Sequence, residues 1–202
     1  MGGGLLGGGK LAAAPEAVDG KAHWRTTESL IFGPETAPQI TVATRALMGG
    51  DLRLVEEVRK RTAPDGADGT TAARTEKGFH VTHTKGDKVE EKDHEAHAGT
   101  VSGGVATLVL FMRQVPAEAA EYEMATWSGE ARAVQQRTLT LKGIGRMKDE
   151  HLGFDREALH AVATGGHGPI EIFVDPKDRS FLAFHPVDQP VWVIRKGIVK
   201  AK

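Results

Sequence analysis

Hydrophobic and polar positions alternate along most of this chain. In Gln39–Leu47, Ile40, Val42, Thr44 and Ala46 fall on one side, the period-two pattern of a half-buried strand. His23–Gly33 alternates less cleanly but is rich in strand formers. Asp51–Arg61 is apolar at Leu52, Leu54 and Val58 and charged at Arg53, Glu57 and Arg59. It suits a solvent-facing strand, with a short helix as the alternative. Asp65-Gly66 and Asp68-Gly69 mark a loop. Thr71–Lys92 then predicts two or three strand pieces, with turns at Lys77-Gly78 and Lys85-Gly86-Asp87.

Ser102–Pro116 breaks this rhythm. Val105, Leu108, Val109 and Met112 recur at i, i+3, i+4 and i+7, which is one face of a helix. Ser102 is placed to cap its start and Pro116 ends it. The run predicts a helix over about 102–115, apolar round more than half its circumference and therefore buried. It is too short for a bilayer, which takes roughly 20 apolar residues. Strand patterns return at Glu121–Ser128, Ala133–Gly143 and Arg156–Gly166, with a polar connection over Ile144–Asp155. Ile170–Pro186 reads as a hairpin reversing at Asp175–Arg179. A last strand lies in Pro190–Lys200, interrupted at Gly197. The pattern predicts a mainly β (α+β) fold. Its curved, open antiparallel sheet of about 8–11 strands wraps round the one buried helix, or closes into a barrel plugged by it.

Composition adjusts this picture in three places. The first 21 residues are Gly- and Ala-rich without apolar period and predict a disordered arm or leader remnant; residues 22–202 form the β-rich domain. The chain has no cysteine, so disulfides and thiolate chemistry are excluded. The net charge of −1 gives no field that would steer the chain to nucleic acid.

The Phe173-Val174-Asp175-Pro176 hairpin, the preceding Arg156–Gly166 strand and the apolar Val105–Met112 run together resemble the superfamily of periplasmic lipoprotein carriers, in an uncharacterised branch. That resemblance covers roughly residues 22–195. It implies an open curved sheet round a helix, export to the periplasm (the cytoplasm being the alternative) and an apolar ligand, lipid or lipidated partner between sheet and helix. The residues expected to line such a site are Trp24, Val105, Leu108, Val109, Met112, Trp127 and Trp192. No cofactor is expected.

Other constellations carry less. His80, His83, His94 and His97 crowd one charged segment, and His94-x-x-His97 has a spacing that suits two imidazoles on one metal ion. In a strand, however, His80 and His83 face opposite ways. The zinc-protease pattern H-E-x-x-H is absent, and no metal site is expected. Gly99-Thr100-Val101-Ser102-Gly103 places its serine one position late for a nucleophile elbow. Glu28, Glu56, Glu57, Glu90 and Glu91 read as charged outer faces of strands rather than as paired catalytic carboxylates. The functional expectation is a non-catalytic apolar-ligand carrier. Its rivals are an assembly subunit pairing through sheet edges and the N-terminal arm, and a histidine-based metal enzyme.

Overall fold

The computed structural model describes residues 7–33, 39–149, 154–166, 168–189 and 192–195. In chain order the elements are β1 (Gly7–Val18), β2 (Lys21–Phe32), β3 (Ile40–Gly49), β4 (Leu54–Ala63), β5 (Gly66–Arg74), β6 (Gly78–Lys85), β7 (Lys88–Glu95), β8 (Val101–Ser102), α1 (Val105–Gln114), β9 (Ala120–Ser128), β10 (Ala133–Asp149), β11 (Phe154–Gly165), β12 (Ile170–Val174), β13 (Phe181–Pro186) and β14 (Val193–Ile194). The protein is mainly β. Its strands make two seven-stranded sheets, ordered β1-β2-β3-β4-β5-β6-β7 and β14-β13-β12-β11-β10-β9-β8. Both sheets are open, so the closed-barrel alternative does not hold among the described residues. Two sheets replace the one expected, because alternation along a strand says nothing about which strands stop pairing. Nor is the pairing wholly antiparallel: β8 lies parallel to β9.

Residues 7–18, expected to be disordered, form strand β1, paired with β2 from Gly7–Phe32 to Val18–Lys21. The cause is local. Asp19 and Gly20 have φ of 50° and 72°, so both adopt the left-handed conformation that a two-residue Asp-Gly hairpin requires. The turn aligns a segment that has little side-chain pattern of its own. Asp68-Gly69 and Gly143–Arg146, expected as turns, lie within β5 and β10. At the second, a bulge between Leu141 and Gly143 absorbs the glycine's positive φ of 84° while the ladder continues. The expected hairpin at 170–186 is present as β12 and β13. The Gly197 interruption lies outside the described residues.

The chain divides into two compact units, Met1–Thr107 with Ala125–Gln135, and Leu108–Met124 with Gln136–Lys202. Within the first, one face of the meander sheet can be read as cross-strand rows. Trp24, Met48 and Leu54 share an apolar row. The next runs Thr26, Ala46, Glu57, Ala72, Val81 and Lys92, and the one after it Glu28, Thr44, Arg59, Thr70, His83 and Glu90. A bulge at Val55 makes this arrangement possible: Met48 pairs with Leu54 but Leu47 with Glu56. Without the extra residue, Leu54 and Glu57, an odd number apart, would face opposite sides.

In the second unit, Met147, Phe154, Ala158, Phe173, Leu182 and Ala183 form a core on which Trp192 and Ile194 pack. Leu108, Leu110 and Met112 of α1 are buried. The helix end is tied to the β12–β13 turn, where Arg179 donates to the Met112 carbonyl at 3.2 Å and Arg113 donates to the Arg179 carbonyl at 3.1 Å.

Candidate functional site

The two polar rows of the first sheet are where chemistry gathers. The segment through β8 into the first turn of α1 lies over β2–β4. The Ser128–Arg132 turn between β9 and β10 lies over β4–β7.

Glu57 is at the centre of the first contact. It is 3% exposed, accepts the Ser102 hydroxyl at 2.5 Å, and is hydrogen-bonded to the Gly129 backbone. The approach is close at Gly129, where a Cβ would stand 2.9 Å from Glu57 Oε1 and 3.1 Å from Arg59 Cδ and would push those side chains aside. Burial pushes the Glu57 carboxyl up to about 7; the Ser102 hydroxyl, the Gly129 N–H and Arg59 oppose that rise, and the like charge of Glu28 adds to it. Glu28 accepts the Ala106 N–H at 2.5 Å, so a side chain from β2 satisfies a free donor in the first turn of α1. Its carboxylate fills the space a Cβ on Gly104 would need, with Cδ 2.9 Å from that position. Ser102, expected as the helix cap, lies further from the helix than expected: α1 begins at Val105, the serine hydroxyl donates to Glu57, and its oxygen accepts the Gly104 N–H at 3.4 Å just ahead of the helix. The expectation that Glu28 and Glu57 are ordinary outward charges is likewise corrected, because both lie on the covered face.

The second contact borders an open groove of about 320 Å³ lined by Val81, His83, Glu90, Lys92, His94 and Arg132. Arg132 donates to Glu90 at 3.1 Å, and Glu130 pairs with Arg59 at 3.8 Å. His83 Nδ1 lies 3.0 Å from the Gly69 carbonyl. A carbonyl only accepts, so Nδ1 is the donor in this contact, and in the neutral form of the ring Nε2 is the acceptor. His94 is held neutral to lower pH than an ordinary histidine, first by burial, then by Lys92 and Arg132, against the pull of Asp93. It meets Trp127 edge-on at 5.8 Å between centroids, and Trp127 in turn packs on Phe79 at 5.2 Å. Lys92 has no carboxylate partner among the described residues.

The four histidines of this segment separate. His80 is on the other face, 2.8 Å from Asp93. His97 lies past the end of β7, its carbonyl accepting the Thr100 hydroxyl at 2.8 Å. His83 and His94 share the groove, but Glu90 faces His83 and His94 is four residues further along, roughly 13 Å of strand. Two imidazoles so placed do not meet on one ion, and no group of three suitable ligands is gathered among the described residues.

The residues expected to line an apolar site are placed as follows. Val105, Leu108, Val109, Met112 and Trp127 are all at or below 9% exposure. Trp24 is half-buried in the row of Met48. Trp192 belongs to the second unit, stacked on His185 at 4.5 Å and on Phe173 at 5.8 Å. Sequence reasoning missed the groove because its cations and histidines look like a solvated charge run until strand register puts alternate residues on one face.

No protein-family model matches the chain, and no curated protein matches it. It is similar to a solved structure, a DUF1089-family protein of Pseudomonas aeruginosa, over 90% of this chain and 92% of that one, at 12% identity and a TM-score of 0.44. At that identity and score the likeness extends to neither a family assignment nor a function.

Proposed function

We propose that this is a non-catalytic binding protein that takes a small, hydroxylated oxyanion into the groove under the Ser128–Arg132 turn. The observation that carries the reading is Lys92, a cation without a carboxylate partner among the described residues, set between His83 and His94 in one groove. An ammonium group beside a guanidinium attracts a carboxylate or phosphate. His83 Nε2 supplies an acceptor for a neighbouring hydroxyl. The volume suits a small ligand. Binding is favoured over catalysis because Ser102, the serine beside a carboxylate, is buried and spends its hydroxyl on Glu57.

Calorimetric titration with sulfate, glycerol 3-phosphate and gluconate tests this. Lys92→Ala is expected to weaken binding by roughly tenfold, about 1.4 kcal/mol, whereas Lys10→Ala leaves it unchanged. Absence of binding by all three compounds, or an unaltered affinity in Lys92→Ala, would rule the reading out.

A second reading follows the lipoprotein-carrier resemblance: an exported protein that carries an apolar or lipidated ligand along α1. Its support is a helix apolar nearly all round. Because Leu108, Met112 and Trp127 are core residues, this reading requires the helix to move. Native mass spectrometry showing a lipid-sized adduct on the monomer would favour it over the groove.

A further inference from the structure

Glu57 and the groove are joined by one short segment. The Ser128–Arg132 turn is bonded to Glu57 at Gly129, paired with Arg59 at Glu130, and pinned to Glu90 at Arg132, which lines the groove. Resting on the groove reading above, we propose that Glu57 is a proton-operated latch on the groove's roof: with its carboxyl protonated the turn stays seated and the groove binds its anion, and ionisation loosens the turn and weakens binding.

The geometry supplies the mechanism. An ionised carboxylate at this position is cut off from water and faces the like charge of Glu28 from β2; Arg59, on its own strand, is the opposing charge and is shared with Asp68 at 3.5 Å. The neighbours it pairs with across β3 and β5 are Ala46 and Ala72, which carry no charge. From β8 it meets the neutral Ser102. The Ser102 hydroxyl and the Gly129 N–H both donate to the carboxylate and favour its ionised form, but burial outweighs them, and a negative charge here is relieved when water reaches it. The Gly129 turn is the cover, and two of its other anchors, Glu130 and Arg132, are partly exposed ion pairs that hold weakly. Lifting it displaces Arg132, one of the two fixed cations of the groove.

Amide NMR of the full-length protein between pH 5.5 and 8.5, with and without sulfate, tests the latch; sulfate keeps its charge throughout this range. The Gly129 amide, bonded directly to Glu57, is expected to titrate near neutral pH and the amides of residues 131 and 132 to follow it. Glu57→Gln is expected to flatten all three. Sulfate affinity in the native chain should fall roughly fivefold across the range, a coupling of ordinary size for linked sites. Glu57→Gln should remove that fall, while any protonation of His94 contributes equally in both proteins and cancels in the comparison. A Gly129 amide that stays still in the native protein overturns the latch without need of any variant. An identical pH dependence of sulfate binding in Glu57→Gln overturns the coupling and leaves the groove reading standing. Sulfate that binds neither protein at any pH overturns the groove reading and the coupling together, and a titrating Gly129 amide in that case shows that the groove was the part that failed.

Discussion

Glu56 and Glu57 are adjacent and chemically identical, yet one is half-exposed and the other is enclosed between β4, Ser102 and Gly129. Nothing in their residue type separates them. The one-residue bulge at Val55 decides which carboxylate turns inward, and a bulge is invisible without register. The energetic consequence has a definite sign. Glu57 in the folded chain binds its proton more tightly than the ordinary carboxyl at 4.5, so the folded state holds more protons than the unfolded one between about 4.5 and 7. Stability therefore falls as pH rises through that window, by up to about 3 kcal/mol in total. Glu57→Gln should be nearly neutral at pH 4.5, gain on the native chain as pH rises, and be more stable above pH 7; urea unfolding at a series of pH values checks it. A parallel pH dependence in both proteins would mean that Glu57 is already solvated. A second residue-scale prediction concerns Gly104, whose missing Cβ makes room for the Glu28 carboxylate. Gly104→Ala should cost about 1–3 kcal/mol and Glu28→Ala about 1 kcal/mol through the lost helix-end acceptor, with the double variant costing less than their sum. Additive losses in a double-mutant cycle would separate the two positions.

Among the elements, legibility followed side-chain pattern. The hairpin of β12 and β13, the strand β3 and the helix α1 were readable, because each buries alternate or helically spaced apolar residues. Strand β1 was not: Gly7–Val18 is small-residue chain whose only structural signal is the Asp19-Gly20 turn behind it. The groove was unreadable for a related reason. Strand β7 is almost wholly exposed, and its charges take on meaning only when His83, Glu90 and Lys92 are set in adjacent rows. Both outer strands of this sheet carry features that discourage further pairing. β7 is dense in charge, and β1 contains Pro15, a residue tolerated in strands at an edge where its missing N–H is not needed. That weakens the assembly reading for the native chain and makes a prediction for a variant. Pro15→Val should restore an edge donor and promote self-association. Sedimentation velocity across a concentration series is expected to show larger species in Pro15→Val alone; a monomer at all concentrations would assign Pro15 no such protective role.

At the scale of the molecule, the two compact units are not separable pieces of chain. Residues 125–135 return to the first unit after 108–124 have contributed to the second, and α1, β9 and β10 each pass from one unit to the other without a break. Breaking either unit alone would interrupt a helix and two strands in mid-element and leave their backbone donors and acceptors without partners. Unfolding should accordingly be a single cooperative transition. Tryptophan gives a probe in each unit: Trp127 beside Phe79 and His94 in the first, Trp192 on Phe173 and His185 in the second. In two single-tryptophan variants, the urea midpoints of Trp127 and Trp192 fluorescence should coincide. They should also move together with pH, since a transition shared by the whole chain transmits the Glu57 proton to a probe in the unit that does not contain Glu57. A Trp192 midpoint that stays fixed between pH 5 and 8 while the Trp127 midpoint falls would show that the shared elements part at the boundary and that the units unfold independently.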